Sequence, residues 1–308
     1  MSGADGETAD KCCASCGIAQ VDDIKLKTCP ACDLVRYCSD QCQEDHRLQH
    51  ERECEDRVKE LRDEILFRQP ESRDIGECPI CLLPLPIHPQ KSEFMGCCSK
   101  TICYGCNYTN KVREIEAKLK QRCPFCRHPA PKSYDEFAQN LMKRIEVKDP
   151  AAMRVKATRC FCEGDIDRAL EYYNEAAELG NMEAHYQLSE LYHVGEGVEK
   201  DVKKYLYHTE EAAIGGHPDA RYALGWVEMN NGSDERAVKH WIIAANLGCD
   251  RSLKMLKNVY AKGCMQKDDF AAALRAHQAA VDATKSLQRE EAEAFRAAQQ
   301  QLSRQNQR

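Results

Sequence analysis

The chain has 308 residues, 44 of them basic and 50 acidic, and a mean hydropathy of −0.65. That length allows two or three domains, or more if some are zinc-sized, and the polarity argues against one large core. A net charge of −6 and a sequence pI near 6.0 argue against nucleic-acid binding through the phosphate backbone, which needs clustered Lys and Arg.

The first eleven residues, MSGADGETADK, have neither a basic n-region nor an apolar h-region, so no secretory signal is expected. Residues 1–11 are small, polar and aperiodic, the composition of a disordered start. The uncharged run from Trp241 to Cys249 is far short of the ~20 residues a bilayer span needs, so no membrane partner is expected. Sixteen of the 20 cysteines lie between Cys12 and Cys126. Disulfides would need an oxidising compartment that this chain shows no signal to reach. C-x-x-C pairs in such a chain read instead as zinc thiolates, and the expected location is intracellular, cytoplasmic or nuclear.

In residues 12–54 the candidate ligands fall in four pairs: Cys13-x2-Cys16, Cys29-x2-Cys32, Cys38-x3-Cys42 and His50-x3-Cys54. C-x-x-C turns a knuckle that aims both sulfurs at one ion, and an x3 spacing puts two ligands one turn apart on a helix face. Eight ligands imply two tetrahedral sites. Cys12 is one thiol too many and could exchange with Cys13. His46 could compete as a ligand, but the position of Cys54 favours His50. The order of the pairs and the flanks TCPAC and YCSDQCQ resemble a MYND zinc finger. That resemblance implies interleaved sites: Cys13, Cys16, Cys38 and Cys42 around one ion, and Cys29, Cys32, His50 and Cys54 around the other. The family grips proline-containing peptides with a helix that usually carries a tryptophan. Here His46 stands at that position, and Glu51 follows His50 where a basic residue is usual. MYND fingers also accompany SET methyltransferases, but nothing else in this chain resembles a SET domain.

Residues 55–77 form a charged linker in which Val58, Leu61, Ile65 and Leu66 have helical spacing, closing at Pro70. A second ligand series follows over 78–127: Cys78-P-I-Cys81, Cys97-Cys98, Cys103-x2-Cys106 and Cys123-P-F-Cys126, with a helix predicted over Tyr108–Lys120. The series is similar to a RING finger. The resemblance implies a cross-brace in which Cys78, Cys81, Cys103 and Cys106 share one ion and Cys97, Cys98, Cys123 and Cys126 the other. Lys100 stands where many RINGs have a histidine, so adjacent Cys97 and Cys98 must both ligate, which demands a sharp backbone bend. The resemblance also assigns Ile80 and Pro124 to docking of a ubiquitin-conjugating enzyme. Arg127, directly after the last ligand, takes the "linchpin" place, where a guanidinium with five donors could bridge that enzyme and ubiquitin.

A linker helix is predicted over 133–149, from Phe137, Leu141 and Ile145 up to Asp149-Pro150. Residues 151–283 then repeat: NEAAELGN (174–181), EEAAIGGH (210–217) and IIAANLGC (242–249) place Gly180, Gly216 and Gly248 at spacings of 36 and 32 residues. A fourth unit, HQAAVDAT (277–284), has Ala283 where the glycine should be. Each unit is a helix–turn–helix that cannot bury its apolar face alone. The alanine pairs permit close helix approach, and the glycine supplies a left-handed helix end. Ala184, Leu188 and Leu191 match Ala220, Leu224 and Val227 as inward stripes. The pattern, with the turn at Gly195 and Gly197, resembles Sel-one-like repeats, relatives of tetratricopeptide repeats. Trp226 and Trp241 are expected in inter-helix packing. Cys160, Cys162, Cys249 and Cys264 are expected to be buried apolar residues, and the histidines of the repeats to be ordinary ones. Residues 284–308 form a helical or disordered tail whose last stretch, from Ala292 on, loses its apolar stripe and should fray.

The expected architecture is mainly α: two small cross-brace zinc modules, then an α-solenoid of helix–turn–helix repeats, with about four zinc ions. The implied function is a RING-type ubiquitin ligase that positions a charged conjugating enzyme without a covalent step of its own, the repeats recruiting the protein substrate. The alternative is a non-enzymatic zinc-finger adaptor.

Overall fold

The computed structural model describes residues 12–20 and 25–305, so the disorder predicted for 1–11 falls outside the described residues. The chain divides into two units, Met1–Arg68 and Gln69–Arg308. No helix among the described residues is long and apolar enough to cross a membrane.

In the first unit, β1 (Lys27–Thr28) pairs antiparallel with β2 (Arg36–Tyr37), Lys27 opposite Tyr37. Helix α1 then runs unbroken from Asp40 to Leu66. Ser39 caps it, its hydroxyl accepting the Cys42 N–H at 3.2 Å. The ligand-bearing turn and the separate linker helix expected from the sequence are therefore one helix. No glycine or proline lies between its ends to stop it. Around the ligands the buried apolar cluster is Cys13, Cys29, Cys32 and Tyr37, so sulfur makes up most of this small interior.

The second unit begins with the other cysteine-rich segment. Strands β3 (Ser92–Met95) and β4 (Lys100–Cys103) form a hairpin with Met95 opposite Lys100. Helix α2 (Tyr104–Glu116) follows at once. It starts four residues before the predicted Tyr108 because Cys103 caps it, its sulfur accepting the Cys106 N–H at 3.4 Å. The core here is Leu85 and Ile102 among Cys78, Cys103, Cys106 and Cys123. After α3 (Tyr134–Glu146) come four helix pairs. They are α4 (Pro150–Cys162) with α5 (Ile166–Glu178), α6 (Met182–Val194) with α7 (Val202–Ile214), α8 (Pro218–Asn230) with α9 (Asp234–Asn246), and α10 (Asp250–Ala261) with α11 (Lys267–Asp282).

The repeat pattern works as its chemistry requires. The pairs Ala176–Ala177, Ala212–Ala213 and Ala244–Ala245 are buried, and Gly180, Gly216 and Gly248 have φ of +82°, +89° and +88°, the left-handed geometry that ends a helix. The fourth unit departs: Ala279 is exposed, and Ala283 stays right-handed at φ −59°. Trp241 is fully buried, with Trp226 set edge-on at 5.9 Å. Cys160 and Cys249 are buried as expected, but Cys162 and Cys264 are exposed. Cys162 lies at the end of α4 and Cys264 in the turn after α10, beyond the reach of the helix stripes.

The fraying expected from Ala292 onward is also corrected. Residues Leu287–Gln305 form α12, which packs against α2. The rings of Phe295 and Tyr108 are 4.8 Å apart, Lys91 pairs with Glu293 at 2.9 Å, and Ala292 is fully buried. A stripe of alanine, with one aromatic and polar partners, is too faint for hydropathy to register, yet it suffices on a small zinc module.

Candidate metal centres

Three of the C-x-x-C pairs are built on the same turn. The N–H of Cys13, Cys78 and Cys123 donates to the carbonyl of Ile18, Leu83 and His128, at 2.8, 3.0 and 2.8 Å. The carbonyl of each first cysteine accepts from Gly17, Leu82 and Arg127, at 2.9, 2.9 and 3.0 Å. Those three residues have φ of +73°, +56° and +62°. A flanking bridge closes each turn: Cys12 with Ala19, Glu77 with Pro84, Arg122 with Pro129. Cys12 thus serves the backbone, and Cys13 faces the sulfur cluster. Leucine and arginine in the left-handed region cost roughly 1–2 kcal/mol each, a strain the knuckle holds in place.

The sixteen expected ligands converge in four sets, each with donor atoms within 4.8 Å of one another: Cys13, Cys16, Cys38, Cys42; Cys29, Cys32, His50, Cys54; Cys78, Cys81, Cys103, Cys106; and Cys97, Cys98, Cys123, Cys126. The pairs interleave along the chain in both modules. Cys97 and Cys98 are brought to bear together by the tight turn between β3 and β4, where Cys98 and Ser99 both donate to the Met95 carbonyl at 3.1 and 2.8 Å. Ser99 completes the bend at φ +55°. His46 does not join: its Nδ1 lies 3.1 Å from the Tyr37 hydroxyl, and its ring stacks on His50.

The donor sets suit zinc. Four ligands 2.3 Å from one ion would be about 3.8 Å apart. The sulfur separations are 3.5 Å for Cys16–Cys38, 3.9 Å for Cys29–Cys54, 3.8 Å for Cys81–Cys103 and 3.9 Å for Cys98–Cys123. All are far longer than the ~2.05 Å of a disulfide. His50 aims Nε2 at Cys32 Sγ, 3.1 Å away, while its buried Nδ1 has no partner. A hydrogen bond from Cys103 holds the Cys78 thiol down to about 4, whereas burial pushes Cys106 up to about 12. Four sulfurs this close cannot all ionise without a cation between them, and a divalent ion relieves that conflict. The shells are closed, with no position for a reactive water.

Around the second module, Ile80, Leu82 and Phe125 are exposed and Pro124 is half-buried. Arg127 does not stand free. Its Nη1 donates to Asn110 Oδ1 at 3.0 Å, and its Nη2 is 3.2 Å from Glu114 Oε1. Glu114 is 1% exposed, and its other oxygen accepts the Arg122 N–H at 3.0 Å. Arginine and glutamate together tie α2 to the last knuckle. In the first unit a groove of about 700 Å³ runs beside α1, lined by Pro30, Tyr37, Arg47, Glu51 and Val58 among others.

Sequence reasoning missed the histidine contacts of the repeats because it looked for partners three or four residues away on one helix. The partners lie across helices. His185 and His208 meet Nδ1 to Nδ1 at 2.9 Å. His217 Nδ1 accepts the Ala220 N–H at 3.2 Å, capping α8, and Nε2 faces Glu183 at 3.1 Å, with Asp74 in the same cluster. With both ring nitrogens committed, this cluster is a polar tie between α6, α8 and the segment before Cys78.

This arrangement defines a zinc-finger protein with a helical-repeat body. The MYND finger family model matches residues 13–54, and the Sel1 repeat model matches residues 159–181, 183–217 and 218–249; no RING family model matches. The chain therefore carries a MYND finger and Sel1 repeats. Among solved structures it is similar to a Sel1 repeat protein from Oxalobacter formigenes, at 29% identity and a TM-score of 0.43, over 49% of this chain and 66% of that one. It is also similar to c5321, a protective antigen of uropathogenic Escherichia coli strains with an SLR fold (22%, TM-score 0.41, over 48% and 34%). A third is the immunity protein PA5088 from Pseudomonas aeruginosa (20%, TM-score 0.40, over 50% and 64%). The chain spans less than two thirds of the length of each.

Proposed function

We propose that this chain is a zinc-braced adaptor. Its Sel1 repeats take one protein partner, and its two zinc modules, ligated by the sixteen residues of the four clusters, present further contact surfaces. The observation that carries this reading is that Arg127 is held by Asn110 and the buried Glu114 and so serves the fold; the four donor sets brace the modules and leave chemistry to others. A reducing compartment, cytoplasmic or nuclear, suits twenty unpaired cysteines.

A second reading, a RING-type ubiquitin ligase, is favoured by the cross-brace order of the second module and by the exposure of Ile80 beside the first knuckle. In it, Ile80 and Pro124 dock a conjugating enzyme and Arg127 bridges to ubiquitin. Arg127 would first have to leave Glu114 and Asn110, which weighs toward the adaptor.

Discharge of ubiquitin from thioester-charged conjugating enzymes separates the two. The adaptor predicts no acceleration by zinc-loaded full-length protein across a panel of such enzymes. Acceleration that is lost in Ile80→Ala and Arg127→Ala would overturn the adaptor and establish the ligase.

A further inference from the structure

The side chain of Arg289, at the start of α12, is 5% exposed. Its Nη1 donates to the carbonyls of Pro84 at 2.8 Å and Thr284 at 2.7 Å. Its Nη2 donates to the Leu83 carbonyl at 3.2 Å and reaches Cys81 Sγ at 3.3 Å. Among the described residues the anionic groups acting on it are the sulfurs of Cys81 and Cys103, with no carboxylate among them, and its Nε has no partner. A buried guanidinium without a counter-ion is costly. The one source of negative charge at hand is the sulfur cluster of Cys78, Cys81, Cys103 and Cys106. Four thiolates around one divalent zinc carry a net charge of about −2, which supplies the missing counter-charge.

The approach is built into the backbone. A Cβ on Gly105, between two of the ligands, would lie 2.9 Å from Arg289 Cγ, 3.0 Å from its Cα and 3.1 Å from its N. Only glycine lets α12 come this close to α2. Gln288 Oε1 also lies 3.8 Å from Cys106 Sγ. Neither the family matches nor the ligand spacing reaches this far along the chain.

We infer that Arg289 is the outer-sphere partner of the Cys78–Cys81–Cys103–Cys106 zinc site, so that α12 is a working part of the second zinc module. Charge-assisted donation to a zinc thiolate draws off electron density and lowers the sulfur's appetite for protons and electrophiles. The contacts to the Leu83 and Pro84 carbonyls fix the loop that carries Cys81 and follows Ile80, and the contact to Thr284 fixes the start of α12. Arg289 is thus a positioning residue for the metal and for the exposed surface of the first knuckle. The inference rests on zinc occupying that cluster.

The test uses zinc-loaded full-length protein, its metal content measured, and the alkylation rate of each cysteine by N-ethylmaleimide followed by mass spectrometry. In Arg289→Met, Cys81 should react about 10-fold faster or more, within the 10–100-fold that outer-sphere partners typically carry in metal affinity. Cys97, Cys98, Cys123 and Cys126 should keep their wild-type rates. Arg289→Lys, one donor without the fork, should fall between. Gly105→Ala, which displaces the helix and leaves the arginine in the chain, should follow Arg289→Met. An unchanged Cys81 rate in both Arg289→Met and Gly105→Ala, with four zinc ions retained, overturns the inference. So does equal acceleration at both sites, which would make α12 ordinary packing. A wild type lacking zinc at this cluster, with its four cysteines reactive from the start, would remove the ligand assignment itself and the inference with it.

Discussion

Removal of zinc should dismantle both cysteine-rich modules and leave the repeats standing. Among the described residues, the buried apolar cluster of the first module holds only Tyr37 besides its cysteines, and that of the second only Leu85 and Ile102. Each such side chain contributes about 1.5–3 kcal/mol, against the ~10–16 kcal/mol of apparent binding free energy of one structural zinc site. The metal therefore dominates. Thiol titration with Ellman's reagent reads this directly. Before chelation, the exposed Cys162 and Cys264 should react, with half-buried Cys12 following. Chelation should add the fifteen cysteines of the four clusters, while Cys160 and Cys249 stay protected inside the repeats. The two tryptophans of the chain, Trp226 and Trp241, both lie in the repeats, so their emission should hardly move. The reasoning fails if chelation frees only seven or eight thiols, since one module would then stand without metal. A tryptophan shift that tracks thiol exposure would refute the independence of the repeats.

Three further outcomes are expected. Arg127→Ala should destabilise the second module by about 1–3 kcal/mol, by leaving the buried Glu114 carboxylate short of a partner. Arg127→Gly should be milder by about 1 kcal/mol, because glycine accepts the φ of +62° at no steric cost; zinc loss against temperature compares the two. Acid should weaken the repeats between about pH 6.5 and 4. Burial, then the neighbouring His185, takes His208 down to about 4, and burial with Arg221 and Arg236 beside it takes His240 to about 3. A histidine depressed in the fold stabilises it fully above its unfolded value and loses that contribution as pH falls toward the folded one. Burial pushes His217 down but Glu183 raises it on balance, so its contribution grows only as pH falls toward about 6.5 and is constant through the window of loss. Melting followed by tryptophan emission at pH 7.5, 6 and 4.5 measures the net effect, and a flat midpoint would contradict it. Finally, Gly225→Ala should cost about 1–3 kcal/mol by overpacking against the Trp241 indole, which its Cβ would meet. A change in tryptophan emission should accompany it; unchanged melting would mean that α8 and α9 have room to part.

The cysteine pairs were readable because coordination chemistry is local: a knuckle needs two cysteines three apart and a turn, and both are written in adjacent letters; which pairs cluster together came from the resemblance to MYND and RING fingers. The repeats were readable because Ala212–Ala213 and Gly216 recur in phase with Ala244–Ala245 and Gly248. What escaped was contact across long stretches of chain. Nothing near Glu114 announces a partner at Arg127, and no local pattern sends Arg289 to Cys81. The faint alanine stripe of α12 looks solvated until Gly105 is seen to admit it. The unbroken α1 was missed for a different reason: helical periodicity that starts within a metal site is masked by the ligands themselves.

The alternation of ligand pairs has a consequence for how the protein is made. As a nascent chain leaves the ribosome, the first ion of each module cannot be enclosed until the third pair has emerged. By then the second pair already waits for the fourth, so both ions of a module lock in over a short span of translation. Arg289 arrives much later. The second module can therefore gather its ligands first, and it receives its guanidinium clamp only after the helix pairs from Pro150 to Asp282 have been made.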